Sequence, residues 1–145
     1  MKKLLVLFGA LALTLTSCQA PADKADPPPP PPKVENNYFI LNRNVEQLKA
    51  VGKAAADLAA TDAEAYGTFK VVVCGKSVKD LIDEEKMKDA VALLQAGNVE
   101  MYACGLSLKK FGVDPESLPE FYDIVPNGLV FGFELQKEGY YSITL

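Results

Sequence analysis

The 145-residue sequence contains no histidine. Catalytic zinc sites, Ser-His-Asp triads and Cys-His dyads each need an imidazole, so the chain cannot build any of them alone. Basic residues are also sparse, because the longest basic run in the body of the chain is Lys109-Lys110. Nucleic-acid binding is therefore not expected. We also expect no metal and no cofactor.

The first 17 residues have the order of a secretory signal peptide. Two lysines are followed by an apolar run over residues 4–15, which is too short to cross a bilayer as a mature segment. The box Leu15-Thr16-Ser17-Cys18 resembles the cleavage site of bacterial lipoproteins, in which the cysteine becomes the lipidated N-terminus. The sequence therefore predicts a membrane anchor at Cys18. The alternative is an ordinary signal peptide with an incidental cysteine.

Residues 18–36 form a predicted linker between the lipidated cysteine and the folded domain. Gln19, rather than Asp, follows the cysteine, which by the rule for enteric bacteria favours the outer membrane, facing the periplasm. Six consecutive prolines, Pro27 to Pro32, cannot contribute a core. They would span roughly 19 Å as a semi-rigid polyproline spacer. A stalk is favoured over a ligand for a proline-binding module.

The segment from residue 37 to residue 145 alternates strand-like and helix-like patterns. The predicted strands are residues 38–41, 69–74, 99–104, 121–125 and 140–145. Helical spacing is seen from Val45 to about Ala60, again around residues 87–94, and from about Gly128 to Lys137. This alternation predicts one α/β domain with a parallel sheet covered on both faces.

Two details of the helices are predicted from their end and face residues. Gly97 is expected to stop the second helix in the left-handed conformation. Asn127 is expected to cap the last helix, with Leu129, Val130 and Phe133 facing inward. The same helix carries more apolar surface than one core face needs, so part of it is expected to meet another subunit.

Cys104 is the main candidate for chemistry. Val99, Met101 and Ala103 alternate with polar or larger residues up to Cys104-Gly105, after which the chain can continue as a helix. A thiol between a strand and a helix N-terminus loses its proton more easily than usual. Ligands also gather at the carboxyl ends of strands in open α/β sheets. The alternative is that Cys104 is a small buried hydrophobic residue.

The sequence from about residue 69 onward resembles the DsrE/DsrF-like family. The resemblance is carried by V-V-V-C-G-K-S-V from Val71, by the run A-L-L-Q-A-G-N-V-E-M-Y-A-C-G-L-S-L that ends at Leu108, by I-V-P-N-G-L from Ile124, and by L-Q-K-E-G-Y-Y-S-I from Leu135. It implies a three-layer α/β/α domain with a five-stranded, mainly parallel sheet. It also implies homo- or hetero-oligomers, commonly trimers or hexamers, of which a homo-oligomer is expected here.

Several members of that family carry sulfur as a cysteine persulfide on a cysteine after the third strand. Cys104 falls on that position, so the resemblance implies that it is the sulfur acceptor. Gly105 and Ser107 match the surrounding loop and are candidates for donating N–H or hydroxyl hydrogen bonds to a sulfur anion.

Cys74 and Lys76 are further candidates at the same rim of the sheet. If the strands of Cys74 and Cys104 flanked the first strand, the two cysteines would lie roughly 10 Å apart, which exceeds disulfide reach. Lys76 could bind an anion or a thiolate, although a solvated surface lysine is the more common case.

Three functions remain open from the sequence. The first is an envelope-anchored protein that handles sulfur or thiol redox chemistry through Cys104. The second is a non-catalytic oligomeric binding module for a small ligand or a protein, in which Cys104 is structural. The third is a structural lipoprotein of the envelope.

Cys18→Ala is expected to abolish lipid attachment, because the acyl chains are joined through the Cys18 sulfur and the new N-terminus. Metabolic labelling with a fatty-acid analogue checks this. Wild-type chain should carry the label, and Ser17→Ala, which keeps the cysteine, serves as the control. A wild-type chain without label would contradict the anchor.

Overall fold

The computed structural model describes residues 35–145. The predicted signal peptide and Cys18, with the proline run, lie outside the described residues. No described helix is both long and apolar enough to cross a membrane.

Five strands and four α-helices alternate over the described residues. The strands are β1 (Asn36–Asn42), β2 (Tyr66–Val73), β3 (Val99–Cys104), β4 (Tyr122–Val125) and β5 (Tyr141–Thr144). The α-helices are α1 (Leu48–Asp62), α2 (Glu84–Ala96), α3 (Gly105–Phe111) and α4 (Gly128–Lys137). A 3-10 segment, Gly75–Ile82, joins β2 to the turn before α2.

Short polar side chains start α2 and α4 by accepting hydrogen bonds from otherwise unpaired N–H groups. The side chain of Asp83 accepts from Lys86 N before α2, and that of Asn127 accepts from Leu129 N before α4. The expectation for Gly97 was wrong: its φ is −84°, and the left-handed residue is Asn98, with φ 51°. Asparagine tolerates that conformation, so the turn into β3 is made one residue later.

The sheet has the order β4-β3-β2-β1-β5, and all its pairs are parallel. The chain moves outward from β1 to β4 and then returns across the sheet to β5. Right-handed crossovers in opposite directions place their helices on opposite faces. Accordingly, α1 and α2 cover one face and α4 covers the other, which confirms the predicted three-layer α/β/α fold.

The strand residues divide between the two faces with a period of two. Odd-numbered β2 and β3 residues such as Val71 and Met101 join the large core under α1 and α2. Even-numbered residues face α4, where Cys74 and Cys104 share a smaller cluster with Phe39, Val72 and Leu135. The alternation therefore directs both cysteines toward the same helix.

The predicted inward face of α4 was wrong. Leu129 and Phe133 are 60% and 62% exposed, and Val130 is also exposed, whereas the buried residues are Gly128, Gly132 and Leu135. The glycines face the sheet and allow it to approach closely. A Cβ on Gly132 would lie 2.7 Å from a ring carbon of Phe39. The helix thus packs through its small residues and leaves its large apolar residues on the surface.

Gly52→Ala is expected to destabilise the domain, although alanine favours helices. A Cβ at Gly52 on α1 would lie 2.8 Å from the backbone carbonyl carbon of Leu93 on α2. Forcing the two helices apart should cost about 1–3 kcal/mol of unfolding free energy. Chemical denaturation checks this, with Ala56→Gly at an exposed α1 position as the control for helix propensity alone. A Gly52→Ala protein more stable than wild type would show that the helices do not touch there.

Candidate functional site

A cavity of about 410 Å³ opens at the carboxyl edge of the sheet. Its lining comes from the ends of β1, β2, β3 and β5 and from the segments that follow β1 to β4. It consists of Leu41, Arg43, Cys74, Gly75, Cys104, Leu106, Ser107, Asn127, Leu129 and Thr144. This is the edge at which open parallel sheets bind ligands, and both domain cysteines lie in it.

Cys104 ends β3 and immediately precedes α3. Its side chain is almost fully buried, with 4% of the residue exposed. The backbone N–H of Gly128, the first residue of α4, donates a hydrogen bond to Cys104 Sγ over 3.3 Å. The ten-residue α4 therefore directs its N-terminal dipole at the sulfur. The sequence had suggested the shorter α3 for this role.

The pKa of the Cys104 thiol is set by opposing effects. Burial raises it, but hydrogen bonds from the Ser107 side chain, the backbone N–H groups of Gly128 and Ser107, and the Cys74 thiol lower it. The result is a pKa below the ordinary value. Because the thiolate is the nucleophilic form of cysteine, Cys104 has the environment of a reactive thiol.

Cys74 has the opposite protonation behaviour. Burial, the neighbouring Cys104 and a hydrogen bond with Cys104 raise its pKa to about 12, and the Arg43 charge opposes this only in part. The expected separation of roughly 10 Å does not hold, because β2 and β3 are direct neighbours rather than flanking β1. Both thiols are free in the structure.

Gly105 and Ser107 follow Cys104 in the first turn of α3 rather than in a loop. The Ser107 hydroxyl accepts a hydrogen bond of 2.9 Å from Gly75 N, which leaves its own hydrogen for Cys104. Gly105 packs against the segment after β4, where a Cβ would lie 3.2 Å from the carbonyl oxygen of Val125. Ser107 thus links Gly75 to Cys104 through hydrogen bonds, and Gly105 allows the end of β4 to approach α3 closely.

Lys76 is exposed and does not line the cavity. The cation that does so is Arg43, which follows β1. Sequence reasoning missed Arg43 and also missed Gly128 as a donor. Arg43 could have been found from its position just after a predicted strand, whereas the contact of Gly128 with Cys104 depends on how α4 crosses the sheet.

A larger cavity of about 560 Å³ lies between α2 and the segment before β4. Its apolar lining includes Met87, Val91 and Phe121, and it contains neither cysteine. Within residues 35–145, no cluster of three or more acidic or cysteine side chains is placed to hold a metal ion. The carboxyl-edge cavity is therefore the candidate site for thiol chemistry.

A protein of unknown function from Methanobacterium thermoautotrophicum has a similar structure. It aligns with a TM-score of 0.63 at 23% identity, over 77% of this chain and 99% of that chain. No curated protein sequence matches this chain. The family model described as "DsrE/DsrF-like family" matches residues 37–145, which include all of the described strands and helices except the first residue of β1, and the cavity with its two cysteines. The chain belongs to the DsrE/DsrF-like family.

Proposed function

We propose that this protein carries sulfur as a persulfide on Cys104. The observation that carries the proposal is the set of donors around one buried sulfur. Gly128 N and the Ser107 side chain both stabilise negative charge on Cys104, which is the only one of the two domain thiols with a lowered pKa. Membership of a family generally linked to sulfur relay supports the same function.

The chemistry needs a nucleophilic sulfur and room for one more atom. The Cys104 thiolate attacks the sulfane sulfur of a donor, an S–S bond forms, and the donor leaves as a thiolate. The added sulfur extends into the cavity of about 410 Å³, where Arg43 supplies positive charge. Leu41 and Leu106 contribute apolar walls to the cavity.

The proposed carrier is held at the cell envelope. A lipid on Cys18 would anchor it to the membrane, and Gln19 favours the outer membrane on its periplasmic side. The proline run would act as a spacer of roughly 19 Å between the lipid and the domain. We propose no further membrane contact, no nucleic acid and no cofactor.

The proposed carrier is also a homo-oligomer. Leu129 and Phe133 of α4 and Ile143 of β5 are exposed and line one shallow apolar depression. That depression shares Leu129 and Thr144 with the cavity of Cys104. A second copy on this surface would bury the apolar side chains and narrow the entrance to the sulfur site. A trimer or a hexamer is the assembly we propose.

A non-catalytic binding module is the competing function, and the burial of both thiols favours it. In that case, the same cavity would hold a small ligand, and Cys104 would serve as packing. The two functions differ in whether the Cys104 sulfur reacts in the folded protein.

Cys104 is expected to react with a small alkylating agent faster than Cys74 at pH 7. A lowered pKa gives Cys104 a larger thiolate fraction at this pH than an ordinary thiol has, whereas burial and the neighbouring Cys104 keep Cys74 protonated. Alkylation rates between pH 5 and 10 on Cys74→Ser and Cys104→Ser, both with Cys18→Ser, check this. Burial is the leading cause of the raised Cys74 pKa, so this pKa stays raised in the Cys104→Ser variant.

Ser107→Ala should slow alkylation of Cys104 about tenfold at pH 7, because it removes a hydrogen bond to the thiolate. Ser117→Ala, at an exposed position, is the matched control. Equal rates for Cys74 and Cys104, or reaction of neither without denaturant, would favour the binding module.

Phe133→Glu is expected to convert the oligomer to a monomer, because it places a charge in the apolar depression. Ala56→Glu adds the same charge on exposed α1 and should leave the assembly unchanged. Sedimentation velocity of both variants and of wild type, with Cys18→Ser throughout, measures the result. A monomeric wild type at tens of micromolar would remove the oligomer from the proposal.

A further inference from the structure

Cys74 and Cys104 occupy matching places on neighbouring parallel strands. Val73 pairs with Ala103, so the next residue along each strand is a cysteine. Neighbouring strands lie about 4.8 Å apart, and disulfide-bonded cysteines have Cα atoms about 4.4–6.8 Å apart. The Cα spacing expected for neighbouring strands therefore lies within the range of disulfide-bonded cysteines.

The two side chains also point the same way. Both lie on the α4 face of the sheet and belong to one apolar cluster. Gly128 packs against both side chains, since a Cβ there would lie 2.5 Å from Cys74 Sγ and 3.3 Å from Cys104 Cβ. The thiols also share a hydrogen bond that favours the proton on Cys74 and the charge on Cys104.

Because the proton of this hydrogen bond stays on Cys74, the two thiols have different roles. Cys74 keeps its proton at neutral pH, because burial and the neighbouring Cys104 raise its pKa to about 12. It therefore does not compete with Cys104 for incoming sulfur. Once Cys104 carries a second sulfur, the negative charge moves one atom outward, and Cys104 Sγ becomes a neutral sulfur that a thiol can attack.

We propose that Cys74 is the resolving thiol of this site and releases the carried sulfur as sulfide. This step rests on the proposed function, because it needs a persulfide on Cys104. As the Cys74 proton passes to the outer sulfur, the resulting Cys74 thiolate attacks Cys104 Sγ, a Cys74–Cys104 bond forms, and the bond from Cys104 Sγ to the outer sulfur breaks. The Cys74 proton leaves with the outer sulfur as HS⁻. The two cysteines are oxidised to a disulfide, and the sulfane sulfur is reduced to sulfide.

The carried sulfur can leave Cys104 by two reactions. An acceptor thiol that enters the cavity takes the outer sulfur and returns Cys104 to a thiolate. In the absence of an acceptor, Cys74 releases the outer sulfur as sulfide, and a Cys74–Cys104 disulfide remains. A dithiol reductant must then reduce that disulfide before the next sulfur can bind.

The test loads the full chain, with Cys18→Ser, with inorganic polysulfide under anaerobic conditions and then removes the excess. Intact mass and trapping of sulfide with monobromobimane are followed over time. The chain with both cysteines should first gain one sulfur atom, then lose it and become lighter than the reduced chain by two hydrogen atoms. One sulfide should be released for each disulfide formed.

Cys74→Ser should gain the same sulfur and hold it about tenfold longer or more, since the neighbouring nucleophile is gone. Cys74→Ala provides a second version in case the serine perturbs the cluster. Ser117→Ala, at an exposed position away from the cavity, is the control and should release sulfide like the parent. Cys104→Ser should take up no lasting sulfur.

Different outcomes overturn different parts of the proposal. If Cys74→Ser takes up no sulfur, the persulfide function and the resolving step both fail. If the parent and Cys74→Ser hold sulfur equally long, Cys104 is a carrier but Cys74 does not resolve it. Persistent sulfur on Cys74 in Cys104→Ser would reverse the assigned roles. The parent measurement decides the resolving step even if both Cys74 variants fail to fold.

Discussion

The close approach of α4 to the sheet at Gly128 is the constraint on which the site depends. Only a residue without a side chain fits there, since a Cβ would clash with Cys74 Sγ and Val72. Because the helix begins at this residue, the same contact delivers an N–H group to Cys104 Sγ. One missing methyl group thus determines helix packing, thiolate stabilisation and the environment shared by the two sulfurs.

Local sequence patterns predicted most of the fold. The periods of two and of 3.6, with caps such as Asn127, placed the strands and helices within a few residues of their observed ends. The family resemblance added the number of strands and the proposed role of Cys104. The patterns failed for α4, where hydrophobicity alone assigned Leu129 and Phe133 to the core. Packing through glycines leaves little hydrophobic signal, because the residues that make the contact have no apolar side chains.

The candidate site was predicted less completely, since its geometry is set by strand order. Cys104 and Cys74 were found from their positions before a glycine at the ends of predicted strands, and Ser107 from the family resemblance, but periodicity does not reveal that β2 and β3 are neighbours. That adjacency makes the thiols interact and gives them unequal proton affinities. Arg43 rather than Lys76 lines the cavity, because the residue directly after β1 turns into the site. Which of the two cations lines the cavity is therefore set by the tertiary structure and not by residue type.

The position of β5 has a consequence for how the chain folds. This last strand pairs with β1, the first one, and Tyr38 lies opposite Tyr141. The pair closes a loop of roughly a hundred residues, and contacts of such sequence separation form slowly. During synthesis the outer edge of β1 stays unpaired until α4 has crossed the sheet. An unpaired strand edge templates association with other chains, so the intermediate exposes the edge of a seven-residue strand where the finished domain exposes only the four-residue β5.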